Sequence, residues 1–461
     1  MFKKIDLEHY VMIVAFISAF LVAFLSSSTS IAVPSIAKDF AMSNIVQNWV
    51  VSIFLLVIAI LSVPVGNLSG RWGLKKSLII GLILFLLGSI LAAISISTNY
   101  VLFARVVQGI GATFLNVAGM AMLVAAIPPN KRGKALGINI AGVYIGLSLA
   151  PVLGGILTYN LGWRSIFYIT IPFLVLALLL TIKISKEWKM GENIKFDLKG
   201  SVLYCIAILL FVYGFTIINE PIGIIFTIVG IILLVLFTLI ELRTENPVFN
   251  MKLFKDVNFS SSSLASLISY FATFVVTTIL NYHLQYVLGM NAQTSGMILI
   301  AMPVMMAILA PISGKLSDMF HPQKIAALGM ILATIAMVIL TFLVETSPLY
   351  VVIIALIFVG LGLGLFSSPN TNAIMGSVPK KETPSASATV STMRVIGQTM
   401  SLSMLTVIFA IIMGDVPIIP QYFSQLVLSS RISCGISAIL CLIAFVACLI
   451  GIKSNKSKLN N

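Results

Sequence analysis

The sequence predicts an all-α membrane protein with many spanning helices, and three observations support this. Of the 461 residues, 59% are hydrophobic and 9% are charged, whereas soluble chains carry about 45–50% apolar and roughly 25% charged residues. Apolar runs of about 20 residues, the length that a helix needs to cross a bilayer, recur along the whole chain. No ten-residue alternation of the β-barrel type appears. The composition excludes a soluble enzyme, a nucleic-acid-binding protein and a disordered scaffold, because so few charges cannot cover a soluble surface.

Fourteen apolar runs are long enough to form spanning helices, and we number them spans 1 to 14. In chain order they are 10–31, 46–68, 77–97, 100–127, 136–159, 165–184, 200–218, 222–242, 260–287, 294–316, 325–344, 350–366, 388–413 and 432–452. Short polar segments, or segments that contain Gly and Pro, separate these runs. We therefore expect helices joined by short loops.

The positions of the 28 Lys and Arg residues predict the orientation. Positively charged loops stay on the cytoplasmic side. If the N-terminus is cytoplasmic, 23 of these residues fall on that side and three on the other, namely Lys38, Arg164 and Arg431. The remaining two, Arg105 and Arg394, lie within spans. The sequence predicts a multi-pass protein of the cell membrane with both termini in the cytoplasm.

An internal repeat suggests how the spans are grouped. The segment Gly66-Asn-Leu-Ser-Gly-Arg-Trp-Gly73 ends span 2, and the similar Gly314-Lys-Leu-Ser-Asp-Met-Phe-His321 ends span 10. Two half-bundles related by a parallel repeat would place such segments at equivalent helix ends. We expect a six-helix bundle over 1–184, a linker with two inserted helices over 185–255, and a second six-helix bundle over 256–461.

Five segments resemble, in order, the motifs of one family. They are the loop Gly66–Lys76, Arg105-Val-Val-Gln-Gly-Ile-Gly111, the glycine-rich stretch from Gly137 to Gly155, Phe196-Asp-Leu-Lys-Gly200 and Pro247-Val-Phe-Asn-Met-Lys-Leu-Phe254. They resemble the major facilitator superfamily, specifically its fourteen-helix drug:proton antiporter family. The resemblance implies the major facilitator fold, with two six-helix bundles, two inserted central helices and transport by alternating access.

The resemblance also implies conformational roles for two groups of residues. In the loop after span 2, glycines allow a tight turn and charges latch helix ends; this group is Gly66, Arg71 and Gly73, with Asp318 in the second half. In span 5 the group is Gly146, Pro151, Gly154 and Gly155. From the residues alone, the glycines permit close helix packing and Pro151 removes a backbone donor. Span 5 is then a hinge or seal, or its glycines serve packing only.

The two arginines inside spans are the main candidates for a binding site. An arginine at the bilayer centre costs about 2.5–3.5 kcal/mol, so both are expected to face the bundle interior or a watery cavity. Gln108 and Asn116 lie on the same helical face as Arg105, and Gln398 lies one turn after Arg394. The alternative is that backbone carbonyls satisfy each arginine, which then only fixes helices. Tyr144 in span 5 and Asn281 and His283 in span 9 complete the candidate cavity set.

The sequence departs from the family where the family carries acids. Leu25 stands in span 1 where the family pattern has an aspartate, and Gly70 stands in the loop where the motif has another. None of the 14 Asp and Glu residues lies near the middle of a span. Two buried arginines and no buried acid favour neutral or anionic substrates. Coupling would then involve an acid at the membrane rim, His283, or no ion at all.

These observations predict a secondary active transporter, a drug or metabolite exporter with the proton as candidate coupling ion. The alternative is an uncoupled facilitator for an anionic or neutral metabolite. A non-transporting receptor is disfavoured because no long polar segment is present, and an ATP-driven pump because no phosphate-binding loop is present. No catalytic residue, metal site or cofactor is expected. The expected partners are a small molecule, the proton and the lipid bilayer, with no nucleic acid, and the protein is expected to be a monomer.

Overall fold

A computed structural model describes residues 2–128, 132–189, 197–244, 247, 249–379 and 383–459, and no β-strand occurs in these ranges. The α-helices are α1 (Phe2–Phe40), α2 (Asn44–Trp72), α3 (Leu74–Ala93), α4 (Thr98–Ala126), α5 (Arg132–Leu161), α6 (Ser165–Tyr168), α7 (Thr170–Lys183), α8 (Leu198–Thr216), α9 (Pro221–Arg243), α10 (Val257–Thr273), α11 (Val275–Tyr282), α12 (Ala292–Leu299), α13 (Ala301–Met319), α14 (Pro322–Thr341), α15 (Leu349–Gly376), α16 (Thr383–Ile412) and α17 (Phe423–Leu459). Two 3₁₀ turns, Met251–Lys255 and Pro420–Tyr422, and one π-helical turn, His283–Val287, complete the regular structure.

The predicted number of fourteen spans is confirmed, with lengths of 19 to 34 residues. Helices α1 to α5 are spans 1 to 5, α6 and α7 together form span 6, and α8 and α9 are spans 7 and 8. Span 9 combines α10, α11 and the π-helical turn; span 10 combines α12 and α13; α14 to α17 are spans 11 to 14. Helix α17 begins at Phe423 rather than at residue 432. The ends differ because a helix continues past the apolar run that identifies it.

Contacts divide the chain into two compact units. Unit 1 comprises Met1–Met42, Trp49–Cys205 and Asn291–Met297, and unit 2 comprises Ser43–Asn48, Ile206–Met290 and Ile298–Asn461. The three-part division expected from the sequence stays a prediction. In both units the helices satisfy their backbone groups internally, as the bilayer demands.

In unit 1, α1 packs along α4 and α5, while α3 packs along α4 and α7. Glycines make the contact between α3 and α4 close. A Cβ on Gly111 would lie 2.4 Å from the backbone nitrogen of Phe85, and a Cβ on Gly81 would lie 2.7 Å from Cβ of Phe114. Backbones at such distances leave no room for a larger residue, which is how small residues hold membrane helices together.

Three loops of unit 1 meet on the side predicted to be external. One carboxylate oxygen of Asp39 accepts a hydrogen bond from Trp163 Nε1 at 2.8 Å and one from Arg164 Nη1 at 3.1 Å. Arg164 Nη2 also donates to the carbonyl of Ser95 at 2.9 Å. The three loops are thereby held at one point, although the pair is too exposed to stabilise the fold by more than about 1 kcal/mol.

In unit 2, α14 packs along α15 and α17, and α10 packs along α15, α16 and α17. The core of this unit contains a polar contact. Gln323 Nε2 donates to Ser262 Oγ at 2.7 Å, and Asn370 Nδ2 donates to the carbonyl of Ser262 at 3.0 Å. Polar side chains inside a membrane bundle pair with one another in this way because lipid offers no partner.

The inserted helix α9 is mostly exposed on its apolar sides. Its buried residues follow one narrow stripe, Gly223, Thr227, Gly230, Phe237 and Glu241. A Cβ on Gly230 would lie 2.4 Å from the backbone nitrogen of Phe211 in α8. Its exposed residues include Ile225, Ile228 and Ile232, which suit contact with lipid.

Candidate functional site

Arg105 lies at the centre of a buried hydrogen-bond network in unit 1. Its side chain has no exposure to solvent. Nε donates to the carbonyl of Val50 at 3.0 Å, and Nη1 donates to Oε1 of Gln108 at 2.6 Å. The guanidinium lies 4.2 Å from the ring centroid of Phe54, in a cation–π contact. Its Nη2 has no partner among the described residues. The arginine is therefore enclosed by protein, with one of its three nitrogens, Nη2, left unbonded among the described residues.

Gln108 extends this network to a third helix. Its Nε2 donates to Ser89 Oγ in α3 at 3.0 Å, and Ser89 Oγ in turn donates to the carbonyl of Phe85 at 2.8 Å. Arg105 and Gln108 share a face because they are three residues apart in α4. Through these two side chains, α4 is bonded to both α2 and α3. The arrangement suits a group that fixes helices.

Asn116 lies outside the Arg105 network. It is exposed, although the spacing of eleven residues places it on the same face of α4 as Arg105. Phe103 is also exposed, but it lies roughly 140° from Asn116 around the helix, so the two residues face different surroundings. An amide at this depth would be costly against lipid. Asn116 therefore supports the hypothesis that this part of α4 borders water. Tyr144 in α5 is partly exposed and has a polar or ring contact within the described chain.

The second arginine, Arg394, is in a different environment. It is partly exposed in α16, and so is Gln398 one turn later. No hydrogen bond or ion pair joins Arg394 to any other residue in the part of the chain that the structure describes. The two arginines that the sequence singled out together thus differ: one is bonded inside unit 1, and the other is unpaired and reachable in unit 2.

A cluster of amides and phenols surrounds the π-helical turn of unit 2. Tyr282 Oη donates to Asn48 Oδ1 at 3.2 Å, and Tyr286 Oη donates to Gln47 Oε1 at 2.9 Å. The Tyr282 ring also stacks on Phe409, with 6.2 Å between centroids. None of these five residues was predicted from the sequence. A signal was present, since Gln47 and Asn48 begin span 2 and the two tyrosines are four residues apart.

The predicted residues Asn281 and His283 belong to the same cluster. Asn281 is fully buried and its Oδ1 accepts from Gln285 Nε2 at 2.7 Å. His283 begins the π-helical turn, is 1% exposed, and neither ring nitrogen has a partner among the described residues. π-Helical turns occur frequently at functional sites. The cluster is thus polar and uncharged, and among its named members only His283 is of a residue type whose unperturbed pKa lies near neutral pH.

Helix α5 makes the close contacts that its glycines suggested. A Cβ on Gly146 would lie 2.7 Å from the carbonyl of Phe20, and one on Gly154 would lie 2.6 Å from Cβ of Ser28 in α1. A Cβ on Gly155 would lie 2.4 Å from the carbonyl of Ala292. Pro151 lies inside the helix. Close packing accounts for all three glycines, while a role as hinge or seal stays a prediction.

The side chain of Glu187 caps the beginning of α3, just after the loop that follows span 2, although it lies 112 positions from Lys75 in the sequence. Glu187 Oε1 accepts from the backbone nitrogen of Lys75 at 2.8 Å, and Oε2 accepts from that of Lys76 at 3.1 Å. Lys75 Nζ donates back to the carbonyl of Ile182, at the end of α7, at 3.2 Å. A carboxylate at a helix N-terminus and an ammonium at a C-terminus both complement the helix dipoles. The carboxylate of Glu187 therefore caps the beginning of α3, and the ammonium of Lys75 in α3 caps the end of α7.

The predicted loop residues take different parts in this contact. Gly73 has a φ of 109°, which favours glycine, and a Cβ there would lie 2.4 Å from Cδ of Glu187. Gly66 has room for a side chain, since the nearest atom to a Cβ is Val117 Cγ1 at 3.9 Å. Arg71 is exposed. Of the three, Gly73 is the one that the geometry requires.

The equivalent segment of unit 2 ends α13. The backbone of Asp318 lies in that helix, but its side chain is outside the described part of the structure. His321 occupies the N-cap position of α14 without a capping hydrogen bond from its side chain, and Pro322 lies in the first turn. Partial burial and, to a lesser extent, the charge of Lys324 lower the pKa of His321. This loop is therefore uncharged at His321 at neutral pH.

One acid differs from the sequence expectation that none is buried. Glu241 is 1% exposed, alone among the acids whose side chains the structure describes. It lies in the last turn of α9, and its Oε2 accepts from the backbone nitrogen of Phe249 at 2.9 Å. No sequence pattern marked its burial, because Glu241 lies two residues before Arg243 at the end of an apolar run. The position remains far from the middle of the span. In the same described residues, no three His, Cys, Asp or Glu side chains could hold a metal ion.

Replacing Glu187 tests the cap on α3. We expect Glu187→Ala to increase hydrogen exchange at the amides of Lys75 and Lys76 and to lower stability by about 0.5–2 kcal/mol, the usual cost of losing a capping side chain. Glu187→Gln retains one acceptor oxygen and is expected to fall between alanine and the wild type. Exchange mass spectrometry of a peptide that contains Lys75 and Lys76 at least three residues from its beginning measures the effect. Glu220→Ala, which removes an exposed acid at the start of α9, is the control; equal exchange in all three variants would refute the cap.

Comparison with known proteins identifies the chain. The family model described as Major Facilitator Superfamily matches residues 15–402 and 262–461. The riboflavin transporter RibZ of Clostridioides difficile (strain 630) is 31% identical over 95% of this chain and 96% of its own length. The multidrug resistance protein Stp of Mycobacterium tuberculosis (strain CDC 1551 / Oshkosh) is 29% identical over 83% of this chain and 72% of its own.

The fold agrees with these matches. The crystal structure of a bacterial homologue of the human lysosomal transporter Spinster superposes with a TM-score of 0.71 at 17% identity, covering 97% of this chain and 98% of that one. The family and the relatives are transporters and not enzymes. The chain belongs to the major facilitator superfamily and is a membrane transporter.

Proposed function

We propose that this transporter exports a neutral or anionic organic solute and uses the proton gradient to do so. The observation that carries the proposal is the placement of charge within the spans. Arg105 and Arg394 lie inside, whereas no acid lies near the middle of a span and the buried Glu241 is at a helix end. A low-dielectric interior with positive groups attracts anions and repels cations.

The relatives suggest which solute to test first. RibZ is named for riboflavin, a neutral molecule with a flat aromatic ring system and a polyol chain. Such a molecule fits a lining of phenols and amides like that around the π-helical turn, where Tyr282 already stacks on Phe409. Stp is named for multidrug resistance, and uncharged drugs are the second class to test. Both solute classes agree with the absence of a mid-span acid.

His283 is the proposed group for proton coupling. It is buried at a π-helical turn, and in this conformation neither ring nitrogen is bonded within the described residues. A charged imidazole would be costly in such surroundings, so the histidine is neutral here and protonation requires a conformation that admits water. The runner-up is an uncoupled facilitator, in which solute never accumulates against its gradient. We further propose that both termini lie in the cytoplasm.

Flux measurements with purified protein in proteoliposomes test this proposal. A panel of riboflavin, an uncharged drug and an anionic analogue is measured with and without an imposed pH gradient. We expect accumulation of riboflavin or the drug against its gradient only when the pH gradient is present, and loss of that accumulation in His283→Gln. Equilibration without accumulation would favour the facilitator instead. No flux of any neutral or anionic member would overturn the proposed substrate class.

A further inference from the structure

Four polar residues form a stripe along α16. Ser387, Ser391, Arg394 and Gln398 are spaced by four, three and four residues, which places them within about 60° of one another around the helix. All four are partly exposed. We call this set the α16 stripe. Exposure of hydroxyls, an amide and a cation to lipid on one face of a spanning helix is energetically costly. We therefore expect this face to meet water or a polar ligand.

The lipid-facing helix of the same unit shows the contrast. On α9 the exposed residues are aliphatic, as at Ile225, Ile228 and Ile232. On α16, Val395 and Ile396 are buried, whereas Met393 and Met400 are partly exposed like the stripe. The partly exposed surface of α16 therefore carries a cation, an amide and two hydroxyls, groups that contact with lipid tails does not favour.

The charge on this stripe has no ion-pair partner among the described residues. Arg394 makes no hydrogen bond or ion pair within the described residues, although it lies inside the span Ala386–Ile412. Arg105, in contrast, uses its donors on Val50 and Gln108. A guanidinium offers five donors in a planar fork that matches carboxylate and phosphate groups. The guanidinium donors of Arg394 are unused within the described residues, whereas Arg105 already uses its Nε and Nη1.

We infer that the α16 stripe is the part of the solute-binding site that recognises an anionic or strongly polarised oxygen group. Arg394 supplies the charged fork, Ser391 and Gln398 on either side supply hydrogen bonds, and Ser387 extends the stripe towards the beginning of the helix. Arg105 is assigned to positioning helices and not to solute. The inference rests on the proposed function, because it names the chemistry that this transporter selects.

Arginine-specific labelling tests the assignment without any variant. Purified protein is treated with phenylglyoxal, and modification is read residue by residue through peptide mass spectrometry. We expect Arg394 to react at least about tenfold faster than Arg105, since reaction needs a reachable, unpaired guanidinium. Riboflavin 5′-phosphate, an anion, should protect Arg394, and the neutral riboflavin should protect it less. An inert Arg394 would overturn the inference, and so would an Arg394 that neither flavin protects in a protein shown to transport riboflavin.

A competition assay tests the same residue by its effect on selectivity. Riboflavin 5′-phosphate is used to inhibit riboflavin flux in the wild type, Arg394→Gln and Arg394→Lys. Because hydrogen bonds to charged groups are the strong ones, we expect Arg394→Gln to raise the inhibition constant at least about tenfold, with a smaller rise in KM for riboflavin. Arg394→Lys keeps the charge without the fork and should fall between. Met393→Leu, adjacent but off the stripe, is the matched control.

Equal loss for both flavins, or no change for either, would show that Arg394 does not read charge. If the wild type moves neither flavin, the proposed flavin substrate is wrong, and the labelling result still decides the role of Arg394. A lipid phosphate could occupy the same fork. Labelling in vesicles of purely zwitterionic lipid and of lipid with an anionic fraction separates the two sources: protection by anionic lipid alone would overturn the solute assignment.

Discussion

Arg105→Ala is expected to destabilise the protein by about 2–5 kcal/mol and to reduce transport at least about tenfold. The change leaves a cavity beside Phe54, which costs about 2–5 kcal/mol for a large side chain. It also leaves Oε1 of Gln108 without this donor, at about 1–3 kcal/mol, and removes the second hydrogen bond of the Val50 carbonyl, which keeps its bond within α2. Removing a buried charge returns only about 2.5–3.5 kcal/mol. The losses exceed the gain, so the fold weakens.

Thermal unfolding of the purified protein and flux in proteoliposomes measure this prediction together. Arg105→Lys is expected to be intermediate, because an ammonium keeps the charge but cannot reach both acceptors in the geometry of the fork. Phe103→Leu, at an exposed position of the same helix, should change stability by less than about 0.5 kcal/mol. Wild-type stability in Arg105→Ala would contradict the role as a helix-fixing group.

Gly155→Val is expected to reduce transport at least about tenfold. A Cβ at this position would lie 2.4 Å from the carbonyl oxygen of Ala292, and the obstacle is backbone that cannot rotate away. The contact within unit 1 between α5 and the segment Asn291–Met297 must then separate. Forcing extra atoms into close packing costs about 1–3 kcal/mol, occasionally more. Gly296→Ala should have a similar effect, because its Cβ would lie 1.9 Å from the carbonyl of Pro151.

The chain offers matched glycine controls for this test. A Cβ on Gly66 has its nearest neighbour at 3.9 Å, and a Cβ on Gly376 has none within 4 Å. Alanine at either position should therefore leave expression and flux within twofold of the wild type. Flux is measured at equal amounts of folded protein, judged by size-exclusion chromatography. Full activity of Gly155→Val would show that α5 does not need its close contact.

The spans could be predicted from the sequence because the bilayer leaves few alternatives. A long apolar run must be a helix in lipid, since its backbone groups find no other partner. All fourteen runs are helices for this reason. Breaks inside spans were not predictable from composition, and the π-helical turn at His283 is one of them. Such turns depend on side-chain packing that the hydropathy of the sequence does not report.

The site was only partly predictable, and the two arginines show why. The sequence places both inside spans and pairs Arg105 with Gln108 through their spacing on one helix. It cannot tell that one guanidinium is enclosed and bonded while the other is unpaired, because that depends on the neighbouring helices. Asn116 shares the face of Arg105 but is exposed, since one face of a helix can pass from packed to open along its length.

The contacts that sequence reasoning missed join residues far apart in the chain. Glu187 caps α3 across 112 positions, and Tyr286 bonds Gln47 across 239. No local pattern marks either pair, because each partner is an ordinary polar residue near the end of a helix. Local spacing reveals which residues share a face, whereas the fold alone decides which faces meet.

Comparing the flux of a permanent cation with that of a neutral solute tests the proposed substrate class directly. Flux of ethidium and of riboflavin is measured in the same proteoliposomes under the same imposed pH gradient. Since the spans hold two arginines and no acid near their middle, we expect riboflavin to be driven by the gradient and ethidium to show no more flux than protein-free vesicles. Strong ethidium transport driven by the pH gradient would contradict the charge argument on which the proposed substrate class depends.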